Sequence, residues 1–536
     1  MQAFTRQLGS ESGVQLNVLR DNSEIPASVA VDQTFGVIMR STRGRIDKPF
    51  SVNAGNVLRK LGRGESMRTS VLNEAWIHVT EALNQGAYEA VVQRLITSAA
   101  VIKYAVATAG VGTDFVFSTS TTLPADFFIA LKHLDCFNDG IKFSFHAEPK
   151  SSGGVNLAND KITLAVYDSL DEKLFEFYGS LNPLSQDDYG VSDYLPDLVS
   201  RLTDSIEIEI GAVHEVAITS DAYGFATNGQ SKWAKSDTLL CFEEHGTAYT
   251  STDYSTARAK LQYTPFNFGY LISAGTQNVA LLAELAQLAF ETNTQLIFDV
   301  DGSLGIDAAI AFVEQLNFGA SPTAHLLQAY YAPLKSDDPT HVNGKGFYGT
   351  SGFQVARRCL RNAQTNSKGF APKNFPIAGR DYPLQRTGIV QTLTPTDQDL
   401  NKLARAKLNP VLFETYSGGG RFVFRDSITC AQVENSLKKL IAVSDMSCDV
   451  DSKVSTYAKD VLQLPMDLAV KRMDEFLADF FDAALSAGWL VPGEGNAFVY
   501  EVMANEQRPY DRMDVNYWLH FDGTVRQIYV TQTHTK

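Results

Sequence analysis

The stretch from Asn409 to Trp489 constrains this chain more than any other. It opens on Asn409-Pro410 and runs into Val411-Leu412-Phe413-Glu414-Thr415. Gly418-Gly419-Gly420 break that run, and Arg421-Phe422-Val423-Phe424-Arg425-Asp426-Ser427-Ile428-Thr429 resume it. Two apolar runs joined by glycines predict a hairpin. Val433, Leu437, Leu440 and Ile441 then repeat at helical spacing. A longer helix is predicted after them, with Ala469, Met473, Phe476, Leu477, Phe480 and Ala484 on one stripe and Gly488 and Pro492 as stop signals.

The rest of the chain alternates between two characters. Phe35-Gly36-Val37-Ile38-Met39 predicts a strand, followed by Arg43-Gly44 and Lys48-Pro49, a helix around Asn53–Leu61, and a helical face of Leu72, Trp76, Val79 and Leu83 stopped by Gly86. Ala90–Leu95 predicts a buried strand ending beside Arg94, read as an arginine bridging to a carboxylate. From about Val111 to Tyr254 strand alternations dominate, as in Ile162/Leu164/Val166 and Ile206/Ile208/Ile210, with Val213 and Val216 and one predicted helix between Pro124 and His133. Helices over Leu281–Ala289 and Ile306–Leu316 then alternate with apolar strands at Gln295–Asp301 and Ala324–Leu334, the pattern of a small sheet flanked by helices. Val14, Leu16 and Val18 make a short alternation near the start. Near the end, Met513/Val515/Tyr517/Leu519 form one face, and Val525, Ile528 and Val530 lie in a second run beyond Asp522-Gly523, a favoured hairpin pair.

This order resembles the contractile tail sheath proteins of phages and related injection machines. That family has an Asn-Pro strand, a Gly-rich turn, an aromatic strand ending near an Arg and a Thr, and two helices, in this order. It also has the Arg-Gly-x-x-x-x-Pro turn matched by Arg43, Gly44 and Pro49, the glycine-ended helix matched by Gly86, and the strand closing on Arg94. Thr350-Ser351-Gly352-Phe353, a short helix, Gly369 and Ala371-Pro372-Lys373-Asn374 are similar to a further family segment, with Gly349-Thr350 in place of two prolines and Lys373 in place of an alanine. The resemblance implies an α/β and α+β multidomain fold with mixed sheets flanked by helices. It divides the chain into an N-terminal arm (1–20), a discontinuous α/β domain (21–110 and 255–400), an inserted β-rich outer domain (111–254), a C-terminal core (401–520) and a C-terminal arm (521–536). It implies a helical homo-oligomer of stacked hexameric rings around a tail tube protein, with baseplate and tail terminator partners, made in a host cytoplasm and resident in the virion. The arms imply strand exchange between subunits through Val14, Leu16 and Val18 and through Val525, Ile528 and Val530. No cofactor, metal or catalytic residue is implied.

Composition bears on the alternatives. A chain of 536 residues exceeds one domain, and its formal net charge of −15 without a basic stripe disfavours sequence-independent nucleic-acid binding. The five cysteines are widely spaced with no Cys-x-x-Cys pair, which reads as reduced structural thiols, and the nine scattered histidines speak against zinc. The first 30 residues lack the apolar segment of a signal peptide, and no apolar run is long enough to span a membrane. The sharpest enzymatic pattern is Phe298-Asp299-Val300-Asp301-Gly302-Ser303, which resembles the first motif of haloacid-dehalogenase phosphatases, with Asp299 as nucleophile and Asp301 as acid/base beside magnesium. Lys335 with Asp337-Asp338 follows too soon to supply the partner motifs, so the carboxylates read instead as solvated or capping groups at a strand end. Gly344–Gly352 lacks the Gly-Lys-Ser/Thr ending of a phosphate loop. A monomeric binding module with the β-rich insertion as its active face is the third class.

Overall fold

A computed structural model describes residues 31–533 apart from 110–114, 148–149, 153–154, 158–160, 212–231, 245, 247 and 494. The chain is mixed α/β, built on an eight-stranded sheet. In chain order its strands are β1 (Thr34–Met39), β2 (Phe50–Val52), β3 (Glu89–Arg94), β4 (Tyr270–Ile272), β5 (Gln295–Val300), β6 (Leu327–Tyr331), β7 (Leu408–Tyr416) and β8 (Gly419–Phe424). They are ordered β2-β3-β1-β4-β5-β6-β7-β8, parallel from β3 to β7 and antiparallel at both ends. The expected hairpin at 408–424 is therefore the far edge of the same sheet that β1 begins, and this sheet runs across residue 400.

The parallel strands are buried on both faces, which is why they read as continuous apolar runs and not as alternations. Successive residues face opposite sides. Phe35, Val37, Tyr270, Ile272 and Ile297 join one core with helices α1 (Glu74–Gln85) and α2 (Ser351–Asn362). Ile38, Leu271, Leu296 and Phe298 join the other, beneath the helices at Ser251–Gln262, Val279–Glu291 and Ile306–Leu316. Each of these large side chains contributes about 1.5–3 kcal/mol by leaving water.

Asn409 explains the Asn-Pro signature. Its amide nitrogen donates to the Ala329 (3.0 Å) and Ile428 (2.8 Å) carbonyls, and its Oδ1 accepts from the Ile428 amide at 2.8 Å. The side chain thus replaces backbone pairing where Pro410 has no N–H to give, and knits β6, β7 and the segment after β8 together.

Between β3 and the helix at Ser251, the described residues form two four-stranded antiparallel sheets. One is ordered Ile206–Ile210, Phe127–His133, Tyr104–Ala109, Phe115–Ser120, and the other Lys173–Ser180, Lys161–Asp168, Ile141–Ala147, Lys232–Lys235. Phe128, Phe143, Phe145, Ile162, Leu164 and Phe177 share one core between them. The helix expected between Pro124 and His133 is instead the strand Phe127–His133, paired on both sides. A short apolar run such as Phe-Phe-Ile-Ala-Leu satisfies either period, and its aromatic and β-branched content decides for strand. Val213 and Val216 lie outside the described residues.

The C-terminal part holds helices α3 (Ile441–Asp460) and α4 (Met466–Ser486) and a hairpin of β9 (Phe498–Ala504) and β10 (Met513–Leu519). Met473, Leu477, Phe480 and Ala484 pack inward from α4 as their spacing predicts. Gly488, at φ 73, takes the left-handed conformation that lets the chain leave α4. The helix expected around Val433–Ile441 starts only at Ile441. Ser436 caps a 3-10 turn at Leu437–Lys439, and Leu440 is extended. The helix expected at Asn53–Leu61 is shortened to Val57–Leu61, because Asn53 Oδ1 accepts the Gly55 and Asn56 amides in a turn. The turn expected at Asp522-Gly523 is not a hairpin. The partner of β10 is β9, joined through a turn in which Asn505 Oδ1 accepts the Gln507 and Arg508 amides.

Candidate functional site: an open hairpin and an unpaired tail

The Asp299 site is closed. Asp299 is 1% exposed. Its Oδ1 accepts the backbone amides of Thr350 (2.6 Å) and Ser351 (3.0 Å), at the start of α2. A carboxylate at a helix N-terminus satisfies amides that have no partner within the helix and meets the positive end of its dipole. Gly349 donates its amide to Glu74 Oε1 at 2.8 Å, and Gly352 donates to His78 Nδ1 at 3.1 Å. That bond leaves the ring proton on His78 Nε2, which reaches Glu74 Oε1 at 3.0 Å. The glycine-rich loop therefore turns its amides on the protein's own side chains, where a phosphate loop would offer them to a ligand. A Cβ on Gly349 would stand 2.1 Å from Asp299 Cγ, so no space exists there for a phosphoryl group. Asp301 caps Ser303, accepting its amide and its hydroxyl at 2.8 Å. Among the described residues no group of three His, Cys, Asp or Glu side chains is placed to hold a metal ion.

A polar seam that sequence reasoning missed lies under α2. Arg358 Nη1 donates to Gln295 at 2.7 Å, and its Nη2 donates to the Gln328 side chain at 2.5 Å and to the Tyr330 hydroxyl at 2.9 Å. Arg361 pairs with buried Asp445 of α3, which also accepts from the Tyr270 hydroxyl at 2.9 Å. Lys373 lies 3.1 Å from both Asp32 and Asp449. Burial pushes the Asp445 carboxyl up, but Arg361 and Lys373 outweigh it and hold the group below the usual carboxylate range. Lys373 is the residue that departs from the sheath pattern, and here it is a buried counter-charge. Its neighbours complete the segment: Ala371 O accepts from Trp489 Nε1 at 2.8 Å, and Asn374 donates to Gly488 O at 3.2 Å. The Ala-Pro-x-Asn anchor and the end of α4 thus meet.

Arg94 is not paired to a carboxylate by hydrogen bonds. It donates to the carbonyls of Gly44 (2.9 Å) and Cys136 (2.6 Å) and to Asn138 Oδ1 (2.8 Å), with Glu244 at 3.9 Å. It ties the Arg-Gly turn to the turn after the strand Phe127–His133.

The C-terminal part presents exposed strand edges. β9 and β10 pair only with each other among the described residues, so both outer edges are free. Phe498, Tyr500, Val502, Val515 and Tyr517 pack down onto the α3/α4 core. The central sheet is different. Beyond β8, the Gly379 and Leu384 amides donate to the Phe424 (2.9 Å) and Phe422 (2.8 Å) carbonyls. The outer edge of β8 is thus covered at Phe422 and Phe424, whereas the one at Met513–Leu519 is open.

After β10 the chain is held by the Leu490–Phe521 bridge and by Arg526, whose Nε donates to Asp426 Oδ1 at 2.8 Å. Residues 522–533 form no strand. Val525, Ile528 and Val530 are 78%, 80% and 89% exposed, and Tyr529 between them is exposed as well. The seven described residues after Arg526 span about 23 Å when extended. Val14, Leu16 and Val18 lie outside the described residues.

No family model and no curated protein sequence matches this chain. Solved structures do. It is similar to a sheath tail protein from Desulfitobacterium hafniense at 10% identity and TM-score 0.48, over 91% of this chain and 93% of that one. It is similar to a chain of the anti-feeding prophage baseplate at 13% identity and TM-score 0.41, over 56% and 78%. It is also similar to a chain of an extracellular contractile injection system sheath complex in the contracted state, at 15% identity and TM-score 0.41, over 58% and 77%.

Proposed function

We propose that this chain is a structural subunit of a contractile tail sheath. It polymerises as stacked hexameric rings around a tail tube and shortens to drive that tube through a host envelope. The observation that carries this reading is a mismatch inside one subunit. A two-stranded hairpin has both edges free, while a tail of exposed apolar residues has no sheet to join. Free strand edges are templates for pairing with another chain, and contiguous exposed apolar residues mark an interaction site. Both deficits are met when the tail of one subunit adds to the hairpin of the next, with the segment holding Val14, Leu16 and Val18 adding from another.

An added strand of about six main-chain bonds contributes roughly 3–9 kcal/mol net. Burial of Ile528 and Val530 adds about 1.5–3 kcal/mol each, against an association cost of several kcal/mol. Main-chain bonds hold neighbours through a large rearrangement because they do not depend on one side-chain register. In this reading residues 111–254 face outward, 21–110 with 255–400 form the α/β domain, 401–520 the C-terminal core, and 1–20 and 521–536 the arms. The tail tube, baseplate and terminator proteins are the partners, and no catalysis is required.

Removal of residues 523–536 tests the reading, with Ile528→Pro as a second variant, since proline removes a donor from any ladder. Light scattering after size-exclusion chromatography and electron microscopy are the readouts. The expected result is a folded, soluble subunit that no longer polymerises. Full-length tubes from the truncated protein would refute the strand-exchange reading.

A further inference from the structure

A cavity of about 260 Å3 lies at the junction between the Arg-Gly turn and the β-rich part of the chain. Phe50, Pro49 and Lys60 line it from one side, and His133, Phe175 and Asp204 from the other. Its walls are flat and apolar where Phe50, Phe137, Phe175 and Phe266 face it.

Two features mark it as incomplete. His133 is 2% exposed, and neither ring nitrogen has a hydrogen-bond partner. Buried polar atoms are almost always paired, so both a donor and an acceptor here await one. Burial first, then Arg43 and Arg45, press its pKa down to about 3, so the ring is neutral and carries one of each. The second feature is unbalanced charge. Arg45 and Lys48 are matched by Asp47 and Asp204. Lys60 donates to the Ser51 carbonyl at 2.8 Å and has no ion-pair partner among the described residues. Burial lowers the Lys60 pKa and outweighs Asp135, which also lines the cavity and partly offsets its charge. The lining as a whole sets Arg45, Lys48, Arg59 and Lys60 against only Asp135 and Asp204. Arg59 beside it lines the same cavity and has no ion-pair partner among the described residues.

We propose that this cavity binds a small aromatic carboxylate carrying a ring hydroxyl. The carboxylate answers Lys60 and Arg59, the ring fills the space between the phenylalanines, and the hydroxyl makes one hydrogen bond with a His133 ring nitrogen. A hydroxyl can either donate or accept, so it meets whichever nitrogen of a neutral imidazole faces it, as a second anionic group would not. Occupancy would tie the two sides of the junction together, independently of the assembly reading.

The test uses the full-length protein with 4-hydroxybenzoate, benzoate and inorganic phosphate as probes, by isothermal titration calorimetry and ligand-observed NMR. The expected result is saturable binding of 4-hydroxybenzoate at millimolar affinity or better, as suits about ten heavy atoms. Benzoate should bind about tenfold more weakly, the scale of one lost hydrogen bond in a buried site. Phosphate should not compete. Lys60→Met should weaken 4-hydroxybenzoate about tenfold or more with an unchanged far-UV spectrum. His133→Phe should erase the preference over benzoate, and His133→Gln should retain part of it if the aromatic variant fails to fold. Absence of saturable binding, equal competition by phosphate, or wild-type affinity in Lys60→Met would overturn the proposal.

Discussion

Replacing Asp299 by alanine separates a helix cap from a catalyst. The Asp299 carboxylate accepts two amides at the start of α2, beside buried His78 and half-buried Glu74. The substitution leaves the Thr350 and Ser351 amides without an acceptor. An orphaned buried donor costs about 1–3 kcal/mol, and loss of a capping side chain about 0.5–2 kcal/mol. These overlap, so about 3 kcal/mol is the expected total. With a urea slope of about 3 kcal/mol/M, the unfolding midpoint falls by about 1 M. Tryptophan fluorescence follows the transition, because Trp76 sits on α1 close to His78. Asp299→Asn keeps an acceptor oxygen and loses about 1 kcal/mol, while Asp301→Ala, at a solvent-facing turn, stays within about 0.5 kcal/mol. A midpoint shift under about 0.3 M for Asp299→Ala would refute the cap argument. Magnesium-dependent phosphatase activity that vanishes in Asp299→Asn would refute it more directly.

Asn409→Ala removes three bonds that tie β6, β7 and Ile428, and should cost about 3 kcal/mol by denaturant unfolding. Asp445→Asn breaks a buried pair and should cost about 3–5 kcal/mol near neutrality. The folded-state pKa of Asp445 is depressed, so its stabilisation is present above the unfolded value near 3.9 and is lost as pH falls through the folded one. The stability gap between wild type and Asp445→Asn should therefore shrink below about pH 4, and a gap that widens there would contradict the assignment. Ile102 and Phe242 are antiparallel partners, so the two ends of the β-rich part meet. Replacing 104–240 with a short Gly-Ser linker should leave the remainder folded by circular dichroism, and an unfolded product would count against an autonomous insertion.

What the sequence disclosed depended on how local the cause was. The stripe of α4 and the strands β1, β3 and β5 follow from periodicity and apolar runs, which are fixed by burial on one face or on two. Asn409-Pro410 was legible as a signature, but not its reason, because the Asn409 partners lie at Ala329 and Ile428. The strand β9 was missed. Phe498-Val499-Tyr500-Glu501-Val502 does alternate, but the Asp522-Gly523 pair offered β10 a nearer partner, and tertiary packing on α4 overruled it. The seam under α2 was invisible for the opposite reason. Arg358, Arg361, Lys373 and Asp445 look like ordinary surface charges until residues far apart in the chain are brought within a few ångströms. Arg94 was singled out correctly, but its carbonyl partners could not be read from residue types.

The two ends of the central sheet are each shut by a small device. At β2, three residues follow Pro49, and Lys60 occupies the Ser51 carbonyl; at β8, the 379–384 segment takes the outward carbonyls. Eight strands that could otherwise template indiscriminate aggregation are thereby made inert. Next to the tail, the edges left open belong to a hairpin of only two strands, too slight to capture a stray segment firmly. On the proposed reading this gives growth a threshold. A free subunit meets another with one weak clasp and lets go, whereas a subunit arriving at a formed ring meets several at once and stays. Such a chain can accumulate at high concentration without gelling, and its polymerisation waits for a seed.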